Sequence, residues 1–232
     1  MIGEALRAQV AAYAASVPAN NPLFVKAEMG ALNARHISRY LASVHFLVRH
    51  TPIHLDRARK RAAELGDAAL DDHFAKKSVD EAGHDLWAAR DLERIREQLS
   101  AAEAQPDVAR SMKDYVRHIE DVIDEDPVLY LAYILFAEYL VVIVGPSWLA
   151  LLEERCGIPR TSMTVVGNHA ELDREHVEEA LEEIDDLVGD PRKLAPMRRV
   201  VTRTIALFDA FCAEVTSDRR ASRHAQPHVS AA

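Results

Sequence analysis

Three residues in the segment GNHAELDREHVEEA, His169, Asp173 and His176, have both the side chains and the spacing to bind iron, manganese or zinc together. Separations of four and then three residues stack side chains on a helix, so two imidazoles and a carboxylate share one face. A second pair, Glu81 and His84 in DEAGHDLW, has the i, i+3 spacing by which a bundle helix offers a carboxylate and an imidazole to one ion, with Gly83 leaving room for close helix approach. Glu138 stands alone in the run VLYLAYILFAEYLVVIV. An ionised carboxylate amid Leu135, Phe136, Leu140 and Val141 is costly to bury unless it is paired, protonated or bound to metal.

Each group has a plainer account. The segment AELDREHVEEALEEIDDL is densely acidic and could be a solvated face, as could Asp80, Glu81 and Asp85; Glu138 could pair with an arginine or hold a proton. Against this, Val165, Leu172, Val177 and Leu181 form an apolar stripe that His169, Asp173 and His176 border. Glu81, His84, Glu138, His169, Asp173 and His176 come from three long helical segments. Together they supply three carboxylates and three imidazoles, enough for two irons with open positions.

The elements that must carry these groups are all helical. Gly and Pro are scarce inside long stretches and no run alternates with period two, which gives an all-α chain. Helices are expected at about 2–16, after a stop at Val17-Pro18, then at 34–65 behind an Asn33 N-cap and with a kink at Pro52. Further helices follow at 68–99, 107–124, 128–146 with a continuation to 157, 162–188 and 197–216, with a short segment at 22–30. Seven or eight helices on short connections make one bundle domain, 1–216, and the polar stretch 217–232 reads as a disordered tail.

Composition narrows the function. Lys and Arg number 28 against 37 Asp and Glu, a net charge of −9 without a basic block, so no nucleic-acid partner is expected. Cys156 and Cys212 form no CxxC or disulfide framework, which suits a reducing, cytoplasmic setting, and no secretory signal is visible. The run 128–144 is short for a membrane span and has Glu138 at its centre, so it reads as a buried core helix with no membrane partner. His50 and His54 form an i, i+4 pair without a matching carboxylate, and His36, His45, His50 and His54 read as core or surface residues. Tyr40, Tyr130, Tyr133, Tyr139 and Trp148 are candidate cavity walls.

The EAGHDLWAARDL block, the Glu of FAEYL and the HAELDREH block resemble the haem-oxygenase-like di-iron oxidases and oxygenases, relatives of the thiaminase TenA and of PqqC. The resemblance spans 30–211 and implies a haem-oxygenase-like helical bundle. It makes His84, Glu138, His169, Asp173 and His176 iron ligands. Glu81 matches the branch whose acid stands three residues before the His; in another branch the acid stands seven before, where this chain has Lys77. Implied cofactors are two Fe(II) ions per chain, with dioxygen as co-substrate. The implied reaction is desaturation, cleavage, cyclisation or N-oxygenation of a small carboxylate-bearing substrate, an amino acid or fatty acid, in specialised metabolism by a homodimer. Arg35, Lys77 and Arg203 are candidates to hold the substrate carboxylate.

The alternatives are a TenA- or PqqC-like enzyme without iron, a haem oxygenase using His36, and a non-catalytic iron-binding bundle. Glu138 stands where TenA chemistry would need a cysteine, and neither Cys156 nor Cys212 is flanked by a suitable His.

Overall fold

The computed structural model describes residues 1–100 and 106–217, with the backbone alone at 174–176. Its elements are α1 (Ile2–Asn20), α2 (Pro22–Glu28), α3 (Ala34–Leu65), α4 (Ala68–Asp80), α5 (Asp85–Arg96), α6 (Arg110–Glu125), α7 (Tyr130–Cys156), α8 (Thr164–Val188) and α9 (Leu194–Thr216). Nine α-helices and no strands occur among the described residues. All but the first residue of the expected tail lies outside them.

α7 is the axis of the bundle. It packs most extensively on α8 and is also covered by α1, α2 and α9. The stretch Pro127–Cys156 is long and apolar enough to cross a membrane; its most apolar 18-residue window has a mean hydropathy of 2.2, and most of that window is buried by the other helices. A helix apolar on every side satisfies that pattern when it is surrounded by protein. Pro146 lies inside α7 without ending it, and Trp148 and Leu149 beyond it are buried, so packing on both sides outweighs the one hydrogen bond a proline forfeits.

α8 can lie close against α7 because Gly145 has no side chain. A Cβ there would sit 3.2 Å from the Ala170 Cβ and 3.5 Å from Val166 Cγ1. At its far end Asp185 of α8 accepts the amides of Ile2 and Gly3, at 2.5 and 3.2 Å, and so caps α1.

Several boundaries differ from the sequence reading. α1 continues through Pro18 to Asn20, closed by the Asn21 amide on the Val17 carbonyl, because buried Val17 holds the last turn against the core. The segment after it is a helix, capped by the Asn21 side chain and started by Pro22. The expected single helix 68–99 is two helices. Gly83, at φ +84°, takes a left-handed conformation that ends the α-helical path, so α4 stops at Asp80 and α5 begins at Asp85. Its role is to turn the chain, not to admit a neighbouring helix. This break and α2 bring the count to nine. Asn33 does cap α3, its carboxamide accepting the amides of Arg35 and His36.

Candidate metal site

Glu81 and His84 sit in the turn between α4 and α5, and His169 comes to them from α8. One ligand atom from each lies within 4.8 Å of the other two, a three-donor cluster of metal-binding size. Glu81 Oε2 is 3.1 Å from His84 Nδ1. The His169 and His84 rings meet edge to face at 5.0 Å, and Trp87 stacks on His84 at 4.2 Å and meets His169 edge-on at 5.5 Å.

The tautomer of His169 follows from its neighbour. Nδ1 lies 2.7 Å from the Val165 carbonyl oxygen, which can only accept, so Nδ1 carries the proton and Nε2 keeps its lone pair for a metal. Val165 is in turn fixed by Asp91, a fully buried carboxylate of α5. Asp91 accepts the Val165 amide and the Thr164 hydroxyl, both at 2.7 Å, and a guanidinium N–H of Arg94 at 3.2 Å. Met163, the residue before α8, makes no side-chain cap, so Asp91 caps the start of α8 from another helix. The same carboxylate thus ties α5, which follows His84, to the turn of α8 that orients His169.

Glu138 and Asp173 lie beside this cluster and are both buried. Glu138 is ion-paired with Lys77 of α4. Burial, together with the charges of Glu138 and Glu81, pushes the Asp173 carboxyl up to about 8, against the opposing pull of Lys77. Burial acts in the same direction on Glu81, but the His84 hydrogen bond, the two imidazoles and Lys77 outweigh it and hold this carboxyl below its ordinary range. Burial also lowers the pKa of His169, which keeps the imidazole neutral, the form that binds metal.

Lys77, Glu81, Glu138, His169 and Asp173 form the polar end of a cavity of about 220 Å³. Its other walls are apolar and include Tyr40, Leu47, Tyr130, Phe136, Trp148 and Phe211. Trp148 packs on the apolar wall with Phe24 at 5.3 Å and Tyr40 at 6.2 Å. Tyr40, Tyr130, Tyr133 and Trp148 line the cavity as expected from sequence; Tyr139 does not, and Tyr115, which the sequence did not single out, does.

Five of the six sequence-predicted ligands therefore converge. The side chain of His176 lies outside the described residues. Leu172, assigned to the apolar stripe of α8, is 45% exposed, while Val165, Val177 and Leu181 are buried as expected. Of the three candidate cations only Lys77 faces the cavity; Arg35 and Arg203 are exposed. His36 is a helix cap, its Nδ1 accepting the Asn33 amide at 3.4 Å. His50 bonds the Phe46 carbonyl, and His54 packs in the core against Tyr130. Neither cysteine lines the cavity: Cys156 donates to the Ala27 carbonyl and Cys212 is buried elsewhere. Asp91 escaped notice in the sequence because one aspartate among 37 acidic residues carries no mark of burial.

No family model matches the chain, and no curated protein matches it. Solved structures do. A Shewanella denitrificans domain of unknown function with a haem-oxygenase-like fold superposes with a TM-score of 0.79 at 18% identity, over 91% of this chain and 90% of that one. A CADD-like protein of unknown function from Nostoc punctiforme gives 0.66 at 14% identity, over 92% and 96%. A TenA homologue from Pseudomonas syringae gives 0.64 at 15%, over 92% and 89%. The chain has the haem-oxygenase-like fold.

Proposed function

We propose that this chain is an iron-dependent oxidase or oxygenase that uses dioxygen to oxidise a small substrate with a carboxylate and an apolar body, an amino acid or a fatty acid. The observation that carries the reading is the cluster of Glu81, His84 and His169, two of whose members, Glu81 and His169, line the polar end of a mostly apolar cavity. Two imidazoles and a carboxylate leave open positions on an iron ion, and the donor set suits it. Glu138 and Asp173 lie beside them. In the sequence His176 follows Asp173 by three residues, the spacing expected of a further donor for a second ion.

The buried carboxylates independently support a cation here. Burial first, and the charges of Glu138 and Glu81 second, raise the pKa of Asp173; Lys77 is one cation against three acids, so a bound metal ion would offset the charge it leaves uncompensated. Iron held there supplies Lewis acidity and one-electron redox chemistry toward dioxygen. Glu81, His84 and His169 hold the ion, Val165 and Asp91 fix the His169 ring, and the apolar walls bind the body of the substrate and exclude water from the reacting end. The haem-oxygenase-like scaffold, shared with a CADD-like protein and a TenA homologue, provides the bundle, while function rests on the site. A cysteine-dependent, TenA-like reaction is not favoured, since no cysteine reaches the cavity.

The test is anaerobic Fe(II) loading followed by desalting, for wild type and His169→Ala, and then oxygen uptake with panels of amino and fatty acids. Retained iron in wild type, its loss in His169→Ala and uptake accelerated by one class of acid support the reading. Iron retained without substrate-dependent oxygen uptake points instead to a non-catalytic iron-binding bundle, and no iron above a buffer control ends the metal reading.

A further inference from the structure

The polar end of the cavity already contains a cation that belongs to the chain. Lys77 contacts Glu138 directly, both side chains are nearly buried, and the lysine's charge also faces Glu81 and Asp173. The donors therefore divide. Glu81, His84 and His169 form a compact cluster, whereas Glu138 of the second group is engaged by an ammonium group. A lysine ammonium is a compact point charge on a flexible four-carbon stem, suited to occupying a position that a metal ion could take and also to leaving it.

Lys77 has somewhere to go. It lines not only the main cavity but also a second one of about 140 Å³, whose charged lining is His73, Lys76, Asp80, Glu179 and Glu183. Three carboxylates stand there against one lysine, Lys76, with Glu183 also 3.0 Å from His73 Nδ1, so the lining keeps net negative charge to receive an ammonium that swings outward. Ile134 borders both cavities, so the two are neighbours across Lys77.

We infer that Lys77 is a tethered cation occupying the second metal position, so that the chain binds one metal ion tightly at Glu81, His84 and His169 and takes a second only by displacing the Lys77 side chain toward Asp80, Glu179 and Glu183. This rests on the metal reading proposed above and deepens it. Lys77 thereby sets how many ions the site holds.

The test is chelator-competed titration with Fe(II) under anaerobic conditions, read as stoichiometry and affinity, on wild type, Lys77→Met and Lys77→Arg. Wild type and Lys77→Arg are expected to bind one ion tightly and a second at least tenfold more weakly; Lys77→Met is expected to bind two with affinities within a few-fold. A measurement on wild type alone stands if Lys77→Met does not fold: reductive methylation of Lys77, followed by mass spectrometry, should be slow without metal and with one equivalent, and rise severalfold when the second ion binds. Two equally tight ions in wild type, or methylation of Lys77 that does not change between one and two bound ions, overturns the inference while leaving the metal reading intact. No bound ion in wild type overturns both.

Discussion

Replacing Asp91 by alanine should loosen the site from a distance, because among the described residues this carboxylate is the side chain that caps the start of α8. The substitution strips the buried Val165 amide of its acceptor at 2.7 Å, which costs about 1–3 kcal/mol when a buried donor is left unsatisfied. It also removes the cap at a helix N-terminus, for which about 1 kcal/mol is typical. The two overlap at the same amide, so we expect about 3 kcal/mol in all; at roughly 2–4 °C per kcal/mol for a chain of this size, the melting temperature should fall by about 6–12 °C. Asp91→Asn keeps one acceptor oxygen and should lose less than half as much. The assay is urea unfolding by circular dichroism, with the exposed ion-pair variant Asp114→Ala as a control expected to stay within about 0.5 kcal/mol of wild type. Because His169 takes its orientation from the Val165 carbonyl, Asp91→Ala should also weaken metal retention, by about 10–100-fold as for other residues that orient a ligand. If Asp91→Ala unfolds within 1 kcal/mol of wild type, α8 is anchored by other contacts and the reasoning fails.

Three further outcomes follow from the packing and the charges. His54 is buried with Nε2 lacking a hydrogen-bond partner, and burial, followed by the charges of His50 and Arg57, depresses its pKa to about 3 from the ordinary 6.5. The folded chain thus binds fewer protons than the unfolded one between those values, so its stability contribution is complete above pH 6.5 and is lost as pH falls toward 3. His54→Leu should flatten the acid limb of a stability-versus-pH curve, and an unchanged limb would show that His54 is not responsible. Gly145→Leu should destabilise by about 1–3 kcal/mol by forcing α7 and α8 apart, seen as a lower urea midpoint, since the first carbon added already lies 3.2 Å from Ala170. Gly83→Ala meets no steric neighbour closer than 4.0 Å, yet its φ of +84° should cost about 1–2 kcal/mol and shift Glu81 and His84 relative to His169; calorimetry and metal retention together would detect both effects.

The bundle and five neighbouring candidate residues were legible in the sequence because each left a periodic or compositional trace. Glu138 was conspicuous as an acid in an otherwise apolar helix, and His169 with Asp173 as a stacked pair. What it hid was set by tertiary context. The break at Gly83 looked like a tolerated glycine within a long helical pattern, since nothing local distinguishes a packing glycine from one at positive φ. Pro18 looked like a stop, yet a helix docked on the core continued past it. Lys77 could be placed near the site only by resemblance, as a position where an acid was missing; that its charge sits against Glu138 depends on how α4 lies against α7.

The chain has two tryptophans in different surroundings: Trp87 stacks on His84 outside the cavity lining, and Trp148 lines the cavity against Phe24 and Tyr40. The donor cluster and the apolar wall therefore each carry their own fluorophore. A paramagnetic ion seated among Glu81, His84 and His169 would quench Trp87 at close range, while an apolar tail lying along the wall formed by Tyr40 and Phe211 would change the surroundings of Trp148. With Trp148→Phe and Trp87→Phe as single-reporter chains, filling of the polar and apolar ends becomes two separable optical signals, and the order in which ion and organic molecule arrive can be followed in real time without turnover.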